Sequence, residues 1–200
     1  MPRQSNQSLR ALLPLGLATL LTACSAPPPA DPPLKGASIG GDFTLTSESN
    51  EQVSWDDFQG QYRIVYFGFT YCPDICPTDM QRAMRGLAQF AEEEPELAAQ
   101  VQPLFITVDP ERDTPEALTQ FTDAFSPDLI GLTGTPEDIK QTAEKFAVFY
   151  SRGADQPSGA YLMNHSNITY LFGPDGEPLA TLPTDQGAEA VAAELARWVR

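Results

Sequence analysis

Apolar positions along this chain fall into a few dense runs separated by longer-period stretches. Tyr62-Arg63-Ile64-Val65-Tyr66-Phe67-Gly68-Phe69 is nearly continuous in β-branched and aromatic residues, the pattern of a strand covered on both faces. Val101 to Val108 repeats that pattern, while Phe43 to Thr46 alternates as a strand with one buried face does. Val53 to Phe58 reads as a short helical turn. A helix is expected to open around Cys76-Pro77, where proline is tolerated in the first turn, and to run to about Glu93. Thr114-Pro115-Glu116 and Thr135-Pro136-Glu137-Asp138 each supply an N-cap threonine, a proline at the first helical position and acids in the first turn. They predict helices over about 115–125 and 136–148. Ile168 to Phe172 and Pro178 to Leu182 flank the turn signal Gly173-Pro174-Asp175-Gly176 and should pair as a hairpin. Gly187 to Val199 closes the chain as an alanine-rich helix, and no internal repeat is present.

Strands alternating with helices, then a terminal hairpin and helix, predict an α/β fold with a mixed central sheet flanked by helices. The order β–α–β–α–…–β–β–α is thioredoxin-like, with elements inserted in its middle. This domain is expected over residues 40–200. The chain before it reads differently. Arg3 and Arg10 form a positive n-region, and Ala11 to Leu21 is an apolar run shorter than the roughly 20 residues a membrane span needs. Leu21-Thr22-Ala23-Cys24 resembles a bacterial lipobox, so residues 1–23 are expected to be a lipoprotein signal peptide and Cys24 the lipid-modified residue. Residues 24–39, with Pro27-Pro28-Pro29 and Pro32-Pro33, read as a proline-rich tether.

Cleavage before Cys24 would remove Arg3 and Arg10 and no acid, taking the 12 basic residues to 10 against 27 acidic ones, a net charge of −17. Such a surface excludes nucleic acid as a partner and gains nothing from anionic lipid, so attachment to the membrane falls to the acyl chains. The domain is then exported, lipid-anchored to a bacterial membrane and facing the periplasm or extracytoplasmic side, where thiols tend to be oxidised. Of the three cysteines only Cys72 and Cys76 belong to the folded part. One close pair is a loop staple, a redox couple or a metal site.

Tyr71-Cys72-Pro73-Asp74-Ile75-Cys76-Pro77 falls between the first buried strand and the helix after it, where open α/β sheets present ligand sites. Amides and the positive dipole at the helix start favour thiolates there, and a spacing of four can set both sulfurs on one side of a turn. His165 is the only histidine. It stands just before the hairpin strand, where thioredoxin-like disulfide enzymes carry a cis-proline, and this chain has no proline between Pro157 and Pro174. Two thiolates and one imidazole make a soft set of three. Structural zinc takes four nitrogen or sulfur ligands, and no fourth is on offer. Soft donors at low coordination favour Cu(I), and Cu(II) would need a further oxygen donor. Copper is therefore the expected metal, with a structural disulfide and a satisfied core histidine as the plain alternatives. Met80 and Met84 read as core fillers, and Met163 as a neighbour on the histidine's strand face.

The residues from Tyr66 to Pro77 (Tyr66-Phe67-Gly68-Phe69-Thr70-Tyr71-Cys72-Pro73-Asp74-Ile75-Cys76-Pro77) resemble the signature of the Sco/SenC family. So do Asp109-Pro110-Glu111-Arg112-Asp113-Thr114-Pro115, Phe125 to Gly134, and His165-Ser166 followed by Tyr170 to Gly176. The resemblance implies copper bound through the two cysteines and the histidine. It also implies a role in assembling the copper A centre of cytochrome c oxidase subunit II, as copper donor, thiol reductant or both. A copper donor and a periplasmic thiol reductant are the further partners it suggests. Asn164 stands where many relatives have aspartate, which leaves the oxygen ligand of Cu(II) open. Asp109 to Pro115 reads as architecture, with Arg112 and Asp113 pairing locally. Thr70-Tyr71-Cys72 has only a vague likeness to a peroxide-reducing motif, since the expected proline is absent. Two functions compete: a copper metallochaperone, and a thiol–disulfide reductase using Cys72 and Cys76 as its redox pair.

Overall fold

The computed structural model describes residue 1 and residues 31–157 and 159–200. In chain order these form β1 (Thr44–Ser47), β2 (Gln52–Ser54), a 3₁₀ turn (Trp55–Phe58), β3 (Tyr62–Gly68), α1 (Ile75–Glu93) and the one-turn α2 (Pro95–Ala98). Then come β4 (Val101–Thr107), α3 (Pro115–Thr122), β5 (Ile130–Thr133), α4 (Pro136–Lys145), β6 (Tyr150–Arg152) and β7 (Met163–His165). β8 (Thr169–Phe172), β9 (Pro178–Leu182), a second 3₁₀ turn (Thr184–Gln186) and α5 (Ala188–Trp198) finish the chain. Seven strands make one sheet in the order β2-β1-β5-β4-β3-β8-β9. β3, β4 and β5 run parallel, and β1, β8 and β9 join antiparallel to their neighbours. The sheet is mixed and helix-flanked, as expected from the alternation of elements. β3 lies between β4 and β8 with every residue buried, which is why its sequence is an unbroken apolar run.

Two hydrophobic clusters hold the layers. One gathers Val65, Phe67, Phe105, Phe146 and Phe172 with Met80 and Met84 of α1, so both methionines are core fillers. The other sets Tyr62, Ile64 and Leu171 against Phe90 of α1 and Val191 and Leu195 of α5. Arg63, the one charge in the β3 run, is buried: it donates from Nη1 to the Gly173 carbonyl at 3.0 Å and lies over Trp55, clamping the β8–β9 turn. Thr114 and Thr135 cap α3 and α4 as the sequence predicts, each accepting from the backbone three residues on.

Several features differ from expectation. Val53 and Ser54 pair with β1 before the helical turn begins at Trp55. β5 and the separate ribbon β6–β7 are too short to show a period. The expected signal peptide beyond residue 1, Cys24 and the expected tether as far as residue 30 lie outside the described residues. Residues 31–39, which composition also assigns to the tether, lie on the domain. Leu34 donates its amide to the Leu179 carbonyl at 3.0 Å, and Leu34 and Ile39 pack against the core. Among the described residues no helix is long and apolar enough to cross a membrane.

α1 and α5 approach closely at Gly86. A β-carbon there would stand 2.5 Å from Val191 Cγ1 and 2.8 Å from the Ala188 carbonyl oxygen. Alanine is the better helix former, yet overpacking outweighs that gain. Gly86→Ala is expected to destabilise the fold by roughly 1–3 kcal/mol, read from the midpoint of urea unfolding.

Candidate metal centre

β3 ends at Gly68, and the chain turns through residues 69–74 into α1. Cys72 closes that turn by donating its amide to the Phe69 carbonyl at 3.2 Å. Cys76 is the second residue of α1, and its amide points back at Cys72 Sγ, 3.3 Å away. The helix start therefore offers Cys72 a backbone donor and the favourable end of its dipole. Cys72 is 9% exposed and Cys76 0%, and both are free thiols.

The histidine arrives on a separate element. β6 and β7 form a two-stranded ribbon outside the main sheet, pairing Tyr150 with His165, Ser151 with Asn164 and Arg152 with Met163. Just past the ribbon, the Ser166 amide donates to the Phe149 carbonyl at 2.8 Å and the Phe149 amide to Ser166 Oγ at 3.1 Å. His165 Nδ1 lies 2.9 Å from the Ser166 carbonyl. An oxygen there can only accept, so in the neutral ring Nδ1 carries the proton and Nε2 presents its lone pair. Nε2 is 3.3 Å from Cys76 Sγ. The rings of Tyr66 and Phe69 meet the imidazole edge-on, with centroids at 6.2 and 5.8 Å. The donor atoms of Cys72, Cys76 and His165 all lie within 4.8 Å of one another. A local spacing of four and a residue 89 positions away thus converge. Asp74 is exposed at the N-cap of α1, and Asn164 is exposed on β7; neither joins the cluster. Met163 shares the His165 face of β7 and packs against the core.

The two thiols titrate as a coupled pair. Hydrogen bonding from the Cys76 thiol, then from the Asp74 and Cys76 amides, brings Cys72 down to about 4 against the cost of burial. Cys76, donating to Cys72 and fully buried, is pushed up. The first negative charge therefore settles on Cys72, and the second thiol keeps its proton until something replaces it. Behind Cys76, the Tyr66 hydroxyl donates to Asp79 Oδ2 at 3.2 Å, and burial raises Tyr66 and Asp79 together.

Asp113 supports the cysteine turn, a role the sequence did not reveal. The expected Arg112–Asp113 pair does not form. Arg112 turns to Asp109, with Nη2 at 2.5 Å from Oδ2, because the turn after Pro110 brings both the Arg112 and Asp113 amides onto the Asp109 carbonyl. Asp113 is left facing inward, 0% exposed, accepting from the Thr70 amide at 2.9 Å, Thr70 Oγ1 at 2.7 Å and Thr107 Oγ1 at 2.6 Å. It joins the end of β4 to a residue two positions before Cys72. Thr70 before the cysteine motif and Thr107 at the end of β4 were the available signal, but only the fold shows what they bind.

A profile of the SCO1/SenC family matches residues 31–200. The chain is 39% identical over 164 residues to Protein SCO1 homolog, mitochondrial, of Homo sapiens, an alignment covering 81% of this chain and 53% of the human protein. It spans about half the length of the curated relatives it matches. The copper-bound crystal structure of ScoI from Arabidopsis thaliana superposes with a TM-score of 0.74 at 34% identity, covering 80% of this chain and 96% of that one. BsSco, described as a Sco-family cytochrome c oxidase assembly protein with a disulfide switch, superposes at 0.61 with 25% identity, covering 86% and 100%. The matched profile runs from the first residue of the folded unit to the last, and copper-bound ScoI shares its architecture: this chain belongs to the SCO1/SenC family.

Proposed function

We propose that this protein is a membrane-anchored copper metallochaperone. It holds copper through Cys72, Cys76 and His165 for building the binuclear copper A centre of cytochrome c oxidase subunit II. The convergence of two sulfurs and a bare imidazole nitrogen within 4.8 Å carries the reading. The donor set fits the metal: two soft sulfurs and one nitrogen suit Cu(I), and among the described residues the cluster has no fourth nitrogen or sulfur of the kind a structural zinc site takes. A set of three leaves one side open, so an incoming thiol can displace a ligand. Lipidation at Cys24 would hold the domain on the extracytoplasmic side, in reach of a membrane-embedded oxidase, a copper donor and a periplasmic thiol reductant.

The test is an anaerobic titration of the reduced chain carrying Cys24→Ser, which leaves the pair as its only thiols, with Cu(I) and then Cu(II). One tight equivalent, with sulfur-to-copper charge transfer in the Cu(II) form, supports the reading. Binding no tighter than in Cys72→Ser and Cys76→Ser sinks it.

A second reading is favoured by the low pKa of Cys72. A thiolate beside a buried thiol suits a reductase: Cys72 attacks a partner disulfide, Cys76 resolves the mixed disulfide, and the partner leaves with two thiols. The same oxidation would remove two copper ligands, so the two activities can be one mechanism. His165→Ala separates them. It is expected to weaken Cu(II) binding by more than about tenfold, that is by more than about 1.4 kcal/mol. Reduction of a model disulfide should stay within about threefold of the parent rate, since it uses only the sulfurs. Equal loss of both would mean that the imidazole serves the thiol chemistry as well.

A further inference from the structure

The ribbon that carries His165 shares no hydrogen-bonded strand with the main sheet. An isolated two-stranded ribbon is marginal in water, so its position has to be set by side chains. At its base the Phe149–Ser166 bonds hold it, and along its inner face Tyr150 and Met163 pack on the core. The far end is held by Tyr161. Its ring is sandwiched between two guanidinium groups, Arg112 at 3.6 Å and Arg152 at 3.8 Å from the ring centroid. Its hydroxyl donates to Asp109 Oδ1 at 2.9 Å, and its carbonyl accepts from Arg112 Nη1 at 2.9 Å. Arg112 in turn sits over Tyr71 at 5.0 Å and near Phe69 at 6.0 Å. One guanidinium thus touches both the cysteine turn and the histidine ribbon.

We infer that Tyr161 is a positioning residue for the metal centre: clasped by Arg112, Arg152 and Asp109, it sets where the ribbon lies and so whether the His165 imidazole reaches the cysteine pair. This rests on the copper reading for its consequence but not for its observable. Arg152 is on β6 and Tyr161 just before β7, so the clasp locks both strands of the ribbon together as well as onto the body. Tyr161 precedes His165 by four residues on the chain that forms β7, so releasing the clasp loosens the path of β7 into His165 and lets the imidazole shift from the Tyr66 and Phe69 edges. Two thiolates alone still suit Cu(I), whereas Cu(II) depends on the nitrogen. The clasp therefore favours retention of the oxidised metal.

The single histidine makes the test clean, because the ring gives one set of imidazole proton resonances in the whole chain. In the full apo-protein, those resonances should show ring-current shifts and cross-relaxation to Phe69 and Tyr66. Tyr161→Ala should move them toward free-histidine values, while Tyr161→Phe, which keeps the sandwich, should hold them near the parent. With copper, Tyr161→Ala should lower Cu(II) affinity at least tenfold and Cu(I) affinity less than threefold, with loss of the nitrogen hyperfine signal. A folded Tyr161→Ala protein with unmoved imidazole resonances overturns the inference, whatever copper does. Should that variant not fold, Arg152→Ala removes one face of the sandwich from an exposed position. A shift of the same resonances in the same direction supports the clasp, and unshifted resonances overturn it. If the parent protein binds no copper yet its imidazole moves as stated, the clasp stands and the copper reading fails.

Discussion

Replacing Cys76 with serine is expected to cost more than about a hundredfold in Cu(I) affinity, beyond the 10–100-fold typical of losing a group that only supports a ligand. Three features act together. A soft sulfur donor is exchanged for a hard hydroxyl that stays protonated. The remaining pair, Cys72 and His165, approach each other largely through Cys76, which touches both: its amide meets Cys72 Sγ and its own sulfur lies 3.3 Å from Nε2. Cys76 itself is fully buried, so water is poorly placed to fill the vacancy its sulfur leaves. Cys72→Ser should lose affinity to a similar extent, while the two variants should part in stability. Serine at position 76 places a more polar hydroxyl in a fully buried spot beside Tyr66, whereas position 72 reaches solvent. A deficit of about 1–2 kcal/mol is expected for Cys76→Ser and less than about half that for Cys72→Ser. Chelator competition for Cu(I) and urea unfolding of the apo-proteins measure the two quantities separately. A Cys76→Ser protein that retains copper at parent affinity would remove this sulfur from the site.

Asp113→Ala should be the most damaging change outside the ligands, at roughly 3 kcal/mol. It leaves the buried Thr70 amide and two threonine hydroxyls without their acceptor and opens a polar void. Because Thr70 leads directly into the cysteine turn, copper affinity should fall with stability. Asp113→Asn keeps the volume and one acceptor, so a smaller deficit follows, and its pH dependence has a defined sign. Burial holds the Asp113 carboxyl above the ordinary value of 3.8. Folding thus favours its protonated form: the contribution is complete below the ordinary value and fades as pH rises through the raised one. The neutral asparagine does not titrate, so its deficit against the parent should be smaller at pH 7 than at pH 4. Denaturant melts at the two pH values decide this. A deficit that grows from pH 4 to pH 7 would show the ionised form to be the one that folding prefers.

These two residues also mark the boundary of what could be read from the sequence. Cys72 and Cys76 were legible because their spacing and their place after an unbroken apolar strand are local facts, and His165 because the chain has no other histidine. β3 and β4 declared themselves through continuous burial. β5, β6 and β7 did not, since three or four residues show no period and exist as strands only through the partners they find. Asp113 looked like a surface charge beside Arg112, and nothing nearby indicates that Thr70, 43 residues earlier, is what it binds. Leu34 and Ile39 were likewise read with the prolines around them rather than with the core they pack against. Composition describes a segment, whereas docking depends on where the rest of the chain ends up.

The 89-residue separation between Cys76 and His165 bears on how the protein is made. A newly made, unfolded chain already presents its two thiols four positions apart, while the imidazole reaches them only after β8 has docked beside β3 and the ribbon has closed. Metal met early can therefore bind the denatured chain through sulfur alone. Any ligand that also binds the unfolded state stabilises the native one by less than its affinity implies. Copper captured through the thiols contributes little to driving the chain home, and the margin that favours the native state is the imidazole's share. Maturation is thus safest when folding comes first and the metal second.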